Sequence, residues 1–449
     1  MAKVDNITRG PIYPTIIRLA WPVVAGMFLE FALSITDYFW VGYLGTPEQD
    51  AITTSTIVTW TLFAFSSIIV AGLTAMVSRS IGGNKPARAS FVSRQGLQMA
   101  VGIGLFLAVC GIWLTPTILT FMKASSAVVA LGIPYLRIFF AGMIVMLVNE
   151  ALAAIFRASG DTRSPTIAFA AATCLNIVLD PVLIFGWGPF PEMGVAGAAT
   201  ATVVSMVLCL LLLIFLLWRV KLEFSLRNWY RTLPDLKTMG RIVRIGMPIS
   251  MQNVVFIIVY WFIIQIVHHY GNEAGAGMGI GNRMEALSYL IAFGFSMATA
   301  TLVGQNLGAG KAERAAQCVR GSIKIIVIET FIVSVLFLVF PRFIAGLFSS
   351  DPAAIAIARD YLIILGLSQV FMGIEIVLEG AFTGAGNTIP PMAVAIPGSL
   401  LRLPLAYYLC FSLDIGINGV WWSLTITSFL KAMVLLFWFS RGRWKKKKV

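Results

Sequence analysis

Charged residues are scarce in this sequence, and histidine and cysteine are rarer still. Only 12% of the 449 residues are charged, whereas 58% are hydrophobic. A soluble domain carries about twice that charged fraction, so a soluble globular fold is excluded. Because about 20 apolar residues cross a bilayer as a helix, the sequence predicts a helical membrane protein with many spans.

The few cysteines form no motif. All five are scattered along the chain, four of them within predicted spans, so we interpret them as small apolar side chains. The glycine-rich stretches at 82–83 and 308–310 lack the lysine and serine or threonine of a Walker motif. No clustered nucleophile or metal motif occurs in the spans. The sequence therefore predicts a protein that is not an enzyme and needs no cofactor.

Long apolar segments account for most of the chain. They predict an all-α polytopic membrane protein with 12 transmembrane helices. The predicted spans cover residues 13–43, 53–79, 95–119, 128–156, 164–187, 194–218, 240–268, 277–304, 322–347, 358–383, 389–413 and 417–440.

Basic residues concentrate in alternate loops and at both ends of the chain. Most of the 33 Lys and Arg lie there, whereas the opposite loops are mainly acidic. The positive-inside rule then predicts that both termini are cytoplasmic. The compact termini fit a prokaryotic inner membrane, which is the expected location. The net charge of +13 is a topology and lipid-headgroup signal, so no nucleic-acid partner is expected.

The second half of the chain repeats features of the first. With a shift of 226 residues, Pro22 falls on Pro248 and Lys85 falls on Lys311. With a shift of 222, Gly194 falls on Gly416. Six spans in each copy predict two lobes with one orientation, related by a pseudo-two-fold axis along the membrane normal. The predicted domains are 1–218, a cytoplasmic linker at 219–240, and 241–449.

Polar residues in the fifth predicted span point to a cation site. Asn176 and Asp180 are four residues apart, which places them on one helix face, and Pro181 follows. Asp37, in the nearly all-apolar stretch 31–44, and Thr202 in the sixth span offer further oxygen atoms. A carboxylate is costly at bilayer depth, and oxygen ligands suit a small hard cation.

Two alternatives remain open for these residues. They could form a structural hydrogen-bond cluster that joins the first and fifth helices. If they do bind an ion, the sequence does not distinguish Na⁺ from H⁺, for which the same carboxylates would carry the proton.

Five motifs together resemble the multidrug and toxic compound extrusion (MATE) family of the MOP flippase superfamily, over essentially the whole chain. The motifs are Trp21-Pro22 with Asp37 fifteen residues on, Gly82 to Lys85, Leu175 to Pro181, Gly194 to Thr202, and Leu302 to Lys311. The resemblance implies export of amphipathic, often cationic compounds in exchange for Na⁺ or H⁺. It also implies that Asp37, Asn176, Asp180 and Thr202 form the cation site of the N-terminal lobe.

The resemblance further implies a substrate cavity in the N-terminal lobe. It places Glu30, Tyr135 and Glu150 on the wall of this cavity, where extra carboxylates would favour cationic substrates. Glu30 lies seven residues before Asp37 and so on nearly the same helix face. A structural hydrogen bond between helices is the alternative role for these glutamates.

The cation site is not repeated in the second half. The counterparts of Asp37, Asn176 and Asp180 are Ile263, Arg402 and Ala406. The C-terminal lobe instead holds a polar network of spans 8, 10 and 11, for which we predict buried ion pairs or a secondary proton or substrate role. Its members are Arg283, Glu285, Glu375, Glu379 and Arg402.

Prolines predict kinks in the first and seventh helices, at Pro22 and Pro248. Bending at Pro22 would move Asp37 and could act as a gate, or the kink could be static.

The sequence as a whole predicts a secondary active multidrug efflux transporter that works by alternating access. A flippase or exporter of a lipid-linked or endogenous metabolite is the alternative. The expected partners are amphipathic small molecules and membrane lipids, and the expected state is a monomer.

Overall fold

The structure, a computed structural model, describes residues 4–122, 124–220, 222–226 and 229–447, without the side chains of 4–6 and 37–38. Over these ranges it is helical and contains no strand. The α-helices are α1 (Val4–Arg9), α2 (Ile12–Gly42), α3 (Thr46–Gly82), α4 (Pro86–Phe121), α5 (Ser126–Ala158), α6 (Arg163–Phe185), α7 (Val195–Arg219), α8 (Leu236–His268), α9 (Asn272–Gly308), α10 (Ala312–Val339), α11 (Pro341–Gly346), α12 (Pro352–Gly366), α13 (Gln369–Gly384), α14 (Ile389–Tyr407) and α15 (Asn418–Ser440).

The number of membrane spans agrees with the prediction. In the described part of the chain, 11 helices are long and apolar enough to cross a bilayer, and α12 with α13 supplies a twelfth if that pair is one span. The tenth predicted span, 358–383, is divided between α12 and α13 in the structure. The two helices meet at Leu367 and Ser368 with a bend of 57°.

Neighbouring helices satisfy the backbone at this bend. Thr425 Oγ1 on α15 donates to the carbonyl of Ile364 across 3.0 Å, and the Ser334 hydroxyl on α10 donates to the carbonyl of Gly366. Carbonyl groups freed by a break at membrane depth need such donors, because no water is available there. The bend is therefore held by tertiary contacts.

The contacts divide the chain into two compact units. One unit contains Ala25–Gly246, and the other joins Asn6–Val24 to the chain from Met247 onward. Helices α2 and α8 each contribute to both units. The change of unit lies within two or three residues of Pro22 in α2 and of Pro248 in α8. This grouping follows packing, whereas the predicted domains at 1–218 and 241–449 follow the sequence repeat.

Glycines allow close helix packing inside each unit. In the first unit, a Cβ atom added to Gly72 on α3 would lie 2.6 Å from the carbonyl oxygen of Ile242 on α8. In the second unit, a Cβ atom added to Gly294 on α9 would lie 3.0 Å from the amide nitrogen of Val24 on α2. The position of Gly294 corresponds to that of Gly72 with a shift of 222. Both repeats therefore use a glycine to hold the first half of a proline-containing helix.

The segment before α8 is fastened to α4 in the first unit. The buried Gln95 side chain donates to the carbonyl of Leu233 across 2.9 Å and accepts from the amide of Asp235 across 2.7 Å. Arg94 donates to the carbonyl of Ser225 across 3.2 Å, and Gln98 donates to the carbonyl of Trp229 across 3.1 Å. The described part of the linker therefore directs several of its carbonyls at α4.

The segment before α2 is held in a similar way in the second unit. Lys311 Nζ donates to the carbonyl of Thr8 across 3.0 Å, and the Arg314 guanidinium donates to the carbonyls of Ile7 and Gly10. These cations meet the carbonyl end of α1, where positive charge is favourable.

Candidate functional site

Asn176, Asp180 and Thr202 lie together in the first unit. Asn176 Nδ2 donates to Asp180 Oδ1 across 3.3 Å and lies 3.5 Å from Thr202 Oγ1. Asn176 and Asp180 are completely buried, and Thr202 is partly buried. The structure therefore brings three of the four predicted cation-site residues into one cluster.

The local sequence explains how α6 and α7 form this cluster. The spacing of four residues aligns Asn176 and Asp180 on α6. Gly197 on α7 lets the two helices approach, because a Cβ atom there would lie 2.5 Å from the carbonyl oxygen of Leu183. Because Pro181 lacks an N–H group, the carbonyl of Ile177 has no helical hydrogen-bond donor at that position. Gly197 lies in the sequence motif Gly194 to Thr202, but its packing role is visible only in the structure.

The cluster offers oxygen atoms for a cation. Asn176 Oδ1 is buried and accepts no hydrogen bond from any described residue. Asp180 supplies carboxylate oxygens and Thr202 a hydroxyl oxygen, which itself donates to the carbonyl of Ala198 across 3.0 Å. An amide oxygen, a carboxylate and a hydroxyl form a donor set that fits a hard cation.

Asp37 lies on α2, but its side chain is outside the described part of the structure. The backbone of this part of α2 runs beside the cluster helices. Val41, one turn after Asp37, packs in a buried group with Ile184 of α6 and Val195 and Ala198 of α7. The role of Asp37 as a fourth ligand stays a prediction.

Glu150 forms an ion pair with Arg157. Their nearest atoms, Glu150 Oε2 and Arg157 Nη2, lie 3.6 Å apart, and the side chains are 26% and 10% exposed. Glu30 on α2 lies within electrostatic range of both groups. The two predicted cavity glutamates thus share one buried arginine, which lies just after the predicted fourth span, 128–156. In the structure α5 continues to Ala158 and so includes Arg157.

Tyr135 lies in a different part of the first unit. Its ring stacks on Phe139 with centroids 6.4 Å apart and planes at 14°. It also packs against the buried group that contains Val41 and Ile184. Tyr135 therefore lies nearer to the residues packed beside the cation cluster than to Glu30 and Glu150.

The predicted network of the second half consists of an ion pair and several hydrogen-bonded groups, and Arg402 lies within electrostatic range of both Glu375 and Glu285. Glu375 on α13 pairs with Lys431 on α15, with Nζ and Oε1 2.6 Å apart. Glu379 accepts from Gln252 Nε2 on α8 across 3.1 Å. Lys431 is not among the predicted network residues, although a lysine within an apolar helix indicates a buried partner.

The remaining members of that network have other partners. Arg402 on α14 donates to Thr427 Oγ1 across 2.9 Å and to Ser428 Oγ across 3.3 Å. Glu285 accepts from the Tyr361 hydroxyl across 2.9 Å. Arg283 is exposed and is not part of these contacts.

Comparison with known proteins identifies the family. The MatE family model matches the chain twice, over residues 22–182 and 248–408. The chain belongs to the MATE family. The two matches are displaced by the 226 residues of the internal repeat, so the recognition and the repeat are both confirmed.

Curated relatives cover nearly the whole MATE chain. It is 30% identical to a probable multidrug resistance protein NorM of Thermotoga maritima. The alignment spans 440 residues and covers 97% of this chain and 93% of the relative. It is 27% identical to an FAD transporter of Shewanella oneidensis, over 96% of this chain and 95% of that one. It is 24% identical to the multidrug export protein MepA of Staphylococcus aureus, over 95% and 93%.

Solved structures confirm the fold class of this MATE protein. A MOP superfamily transporter from Pyrococcus furiosus, described as having a binding pocket of reverse polarity, matches with a TM-score of 0.91 at 25% identity over 100% of this chain and 99% of that one. A MATE protein in a straight conformation matches with a TM-score of 0.91 at 24% identity over 100% of both chains. The protein is an integral membrane transporter and not an enzyme, as predicted.

Proposed function

We propose that this MATE protein exports amphipathic, often cationic compounds in exchange for Na⁺ or H⁺ by alternating access. The observation that carries the proposal is the buried cluster of Asn176, Asp180 and Thr202 in the first unit. The names of the relatives, which include multidrug resistance and multidrug export proteins, support the drug-efflux part of the proposal.

The cluster can respond to a cation in two ways. Na⁺ would take oxygen ligands from Asp180, Asn176 and Thr202, with Asp37 as the fourth. H⁺ would instead bind a carboxylate oxygen of Asp180 and turn that oxygen from an acceptor into a donor. Either event removes one negative charge from a buried site, where charge interactions are strong. A different arrangement of α6 relative to α2 and α7 would then be favoured.

Substrate selection would use the glutamates of the same unit. Glu30 and Glu150 place two carboxyl groups near one arginine, Arg157, so the group has more acidic than basic side chains. An acidic group of this kind attracts cations and disfavours anions. The exposed aromatic and methionine side chains of the spans would supply an adaptable apolar surface.

Export of an endogenous metabolite is the second candidate function. It is favoured by the FAD transporter among the relatives, which matches 96% of this chain. FAD is a large anion with planar heteroaromatic rings, whereas the first candidate favours cations. The same assay with two substrates therefore separates the candidates.

We also propose an inner-membrane location, a monomeric state and cytoplasmic termini. The alternation of basic and acidic loops supports this orientation. Labelling of a cysteine placed at Gly442 with a membrane-impermeant reagent should occur in inverted vesicles and not in intact cells.

Transport in proteoliposomes tests the main proposal. Ethidium export should follow an imposed Na⁺ or pH gradient in the wild-type protein and fall to background in both Asp180→Asn and Asp37→Asn. The variants should keep the wild-type elution volume and helical content. Export by Asp180→Asn at the wild-type rate would remove the coupling role, and FAD export without ethidium export would favour the second function.

A further inference from the structure

A cavity of about 390 Å³ lies in the second unit between α10, α15 and the short 3₁₀ helix Arg443–Lys446. One wall is apolar and is formed by Ile323, Leu436, Phe439 and Trp444. Neither the cation cluster nor the glutamate groups contribute to this cavity. Its size is that of an ordinary small-ligand site.

Three cations border the cavity. Arg320 and Lys324 lie one turn apart on α10, both exposed, and neither donates a hydrogen bond to a described residue. Lys445 pairs with Glu313, with Nζ and Oε1 2.8 Å apart. Glu313 also lies within electrostatic range of Arg320, but it is 79% exposed and is a single negative charge. The rim is therefore positive overall.

The apolar wall is fixed in place. The indole N–H of Trp444 donates to the carbonyl of Phe439 across 3.1 Å, and the two rings stack with centroids 5.0 Å apart. Trp444 is only 1% exposed and packs with Ala316 and Val319 of α10. The cavity is thus preformed and needs little ordering to accept a ligand.

The internal repeat indicates what such a ligand should offer. Arg94 and Gln98 on α4 occupy the positions that correspond to Arg320 and Lys324 with the shift of 226 residues. In the first unit, carbonyl oxygens of the linker accept hydrogen bonds from Arg94 and Gln98. In the second unit, the same face of α10 borders the cavity instead. A ligand with oxygen acceptors would accept hydrogen bonds from Arg320 and Lys324, as the linker carbonyls do from Arg94 and Gln98.

We propose that this cavity binds an anionic phospholipid of the cytoplasmic leaflet. The phosphodiester would accept from Arg320, Lys324 and Lys445, and the start of an acyl chain would lie against Leu436, Phe439 and Trp444. Basic pockets at the cytoplasmic ends of membrane helices suit such headgroups. A free phosphate would leave the four apolar side chains without a partner, so the lipid is favoured.

Native mass spectrometry of the full chain in detergent tests the site. We expect the wild-type protein to retain one phosphatidylglycerol in preference to phosphatidylcholine. The double variant Arg320→Gln with Lys324→Gln should lose this preference by roughly tenfold or more, because each cation near an anionic headgroup contributes to binding. Both residues are exposed, so folding should be unchanged and is checked by helical content and elution volume.

The matched control is Arg441→Gln with Arg443→Gln. It removes the same charge from two exposed residues at the same end of the unit, outside the cavity lining. The control should keep the phosphatidylglycerol preference. An equal loss in both double variants would mean general surface attraction and overturn the proposal. Displacement by inorganic phosphate at millimolar concentration, or equal retention of phosphatidylcholine, would also overturn it.

Discussion

Lys431 on α15 donates to Glu375 on α13 across 2.6 Å, and the two side chains are only 8% and 9% exposed. The stem of Lys431 passes directly beside Gly398 on α14, where an added Cβ atom would lie 2.5 Å from Lys431 Cγ. Three helices of the second unit therefore converge on one buried ion pair.

We expect Glu375→Gln to destabilise the protein by about 3–5 kcal/mol, because Lys431 would be left buried without its counter-charge. The double variant Glu375→Leu with Lys431→Met should recover most of this loss, since both charges are gone. Unfolding in mixed micelles measures the free energies. The exposed pair Arg359 and Asp360, 3.6 Å apart, is the control: Asp360→Asn should change stability by less than about 0.5 kcal/mol. A Glu375→Gln effect as small as the control would show that the buried pair is not stabilising.

Thr200 and Thr202 provide a matched pair on α7. Both hydroxyls donate to the carbonyl four residues before, but Thr202 alone of the two also lies 3.5 Å from Asn176 Nδ2. Thr202→Val should weaken the apparent affinity for the coupling cation by roughly tenfold, since it removes a ligand oxygen. Thr200→Val should leave it unchanged. The measurement is the Na⁺ or H⁺ concentration at half-maximal export. Equal effects of the two substitutions would contradict the assignment of Thr202.

Gly246 and Gly240 on α8 provide a test of helix packing. A Cβ atom at 246 would collide with the backbone of Ile68 on α3, whereas a Cβ atom at 240 meets nothing within 4 Å. Gly246→Ala should destabilise the protein by about 1–3 kcal/mol through overpacking. Gly240→Ala should be neutral or stabilising by up to about 1 kcal/mol, because alanine has the higher helix propensity. A stabilising Gly246→Ala would rule out this close approach.

Asp235 at the start of α8 predicts a pH dependence. The Thr238 hydroxyl donates to Asp235 Oδ2 across 2.6 Å, and hydrogen bonds of this kind lower the pKa of Asp235. A carboxyl with a lowered folded-state pKa stabilises the protein above its unfolded pKa of about 3.9, and this stabilisation is lost as the pH falls through the folded pKa. The melting temperature of the wild type should therefore exceed that of Asp235→Asn near pH 7, and the difference should shrink below about pH 4. A difference that is constant with pH would contradict this.

Local sequence rules predicted the span number, the family and the pairing of Asn176 with Asp180. Each depends on residues that are close together in the sequence. The span number follows from apolar runs of span length, the family from short motifs, and the pairing from a spacing of one helical turn. Thr202 was predicted as a member of the cluster from its hydroxyl group and from its place in the family motif. The packing of Gly197 against Leu183 that brings it close was visible only in the structure.

These local rules do not predict contacts between distant parts of the chain. The bend between α12 and α13 depends on Thr425 and Ser334, which lie 61 and 32 residues from the carbonyls that they contact. The partner of Lys431 lies 56 residues away. A sequence pattern records that a polar group is buried but not which group it meets.

The sequence by itself determined that this protein is a two-repeat helical membrane transporter, because hydrophobicity, charge alternation and internal repetition are written along the chain. Only the tertiary structure decided that α2 and α8 are each shared between two compact units, and which buried charges neutralise one another. These properties depend on which helices pack side by side, and a one-dimensional pattern does not contain that information.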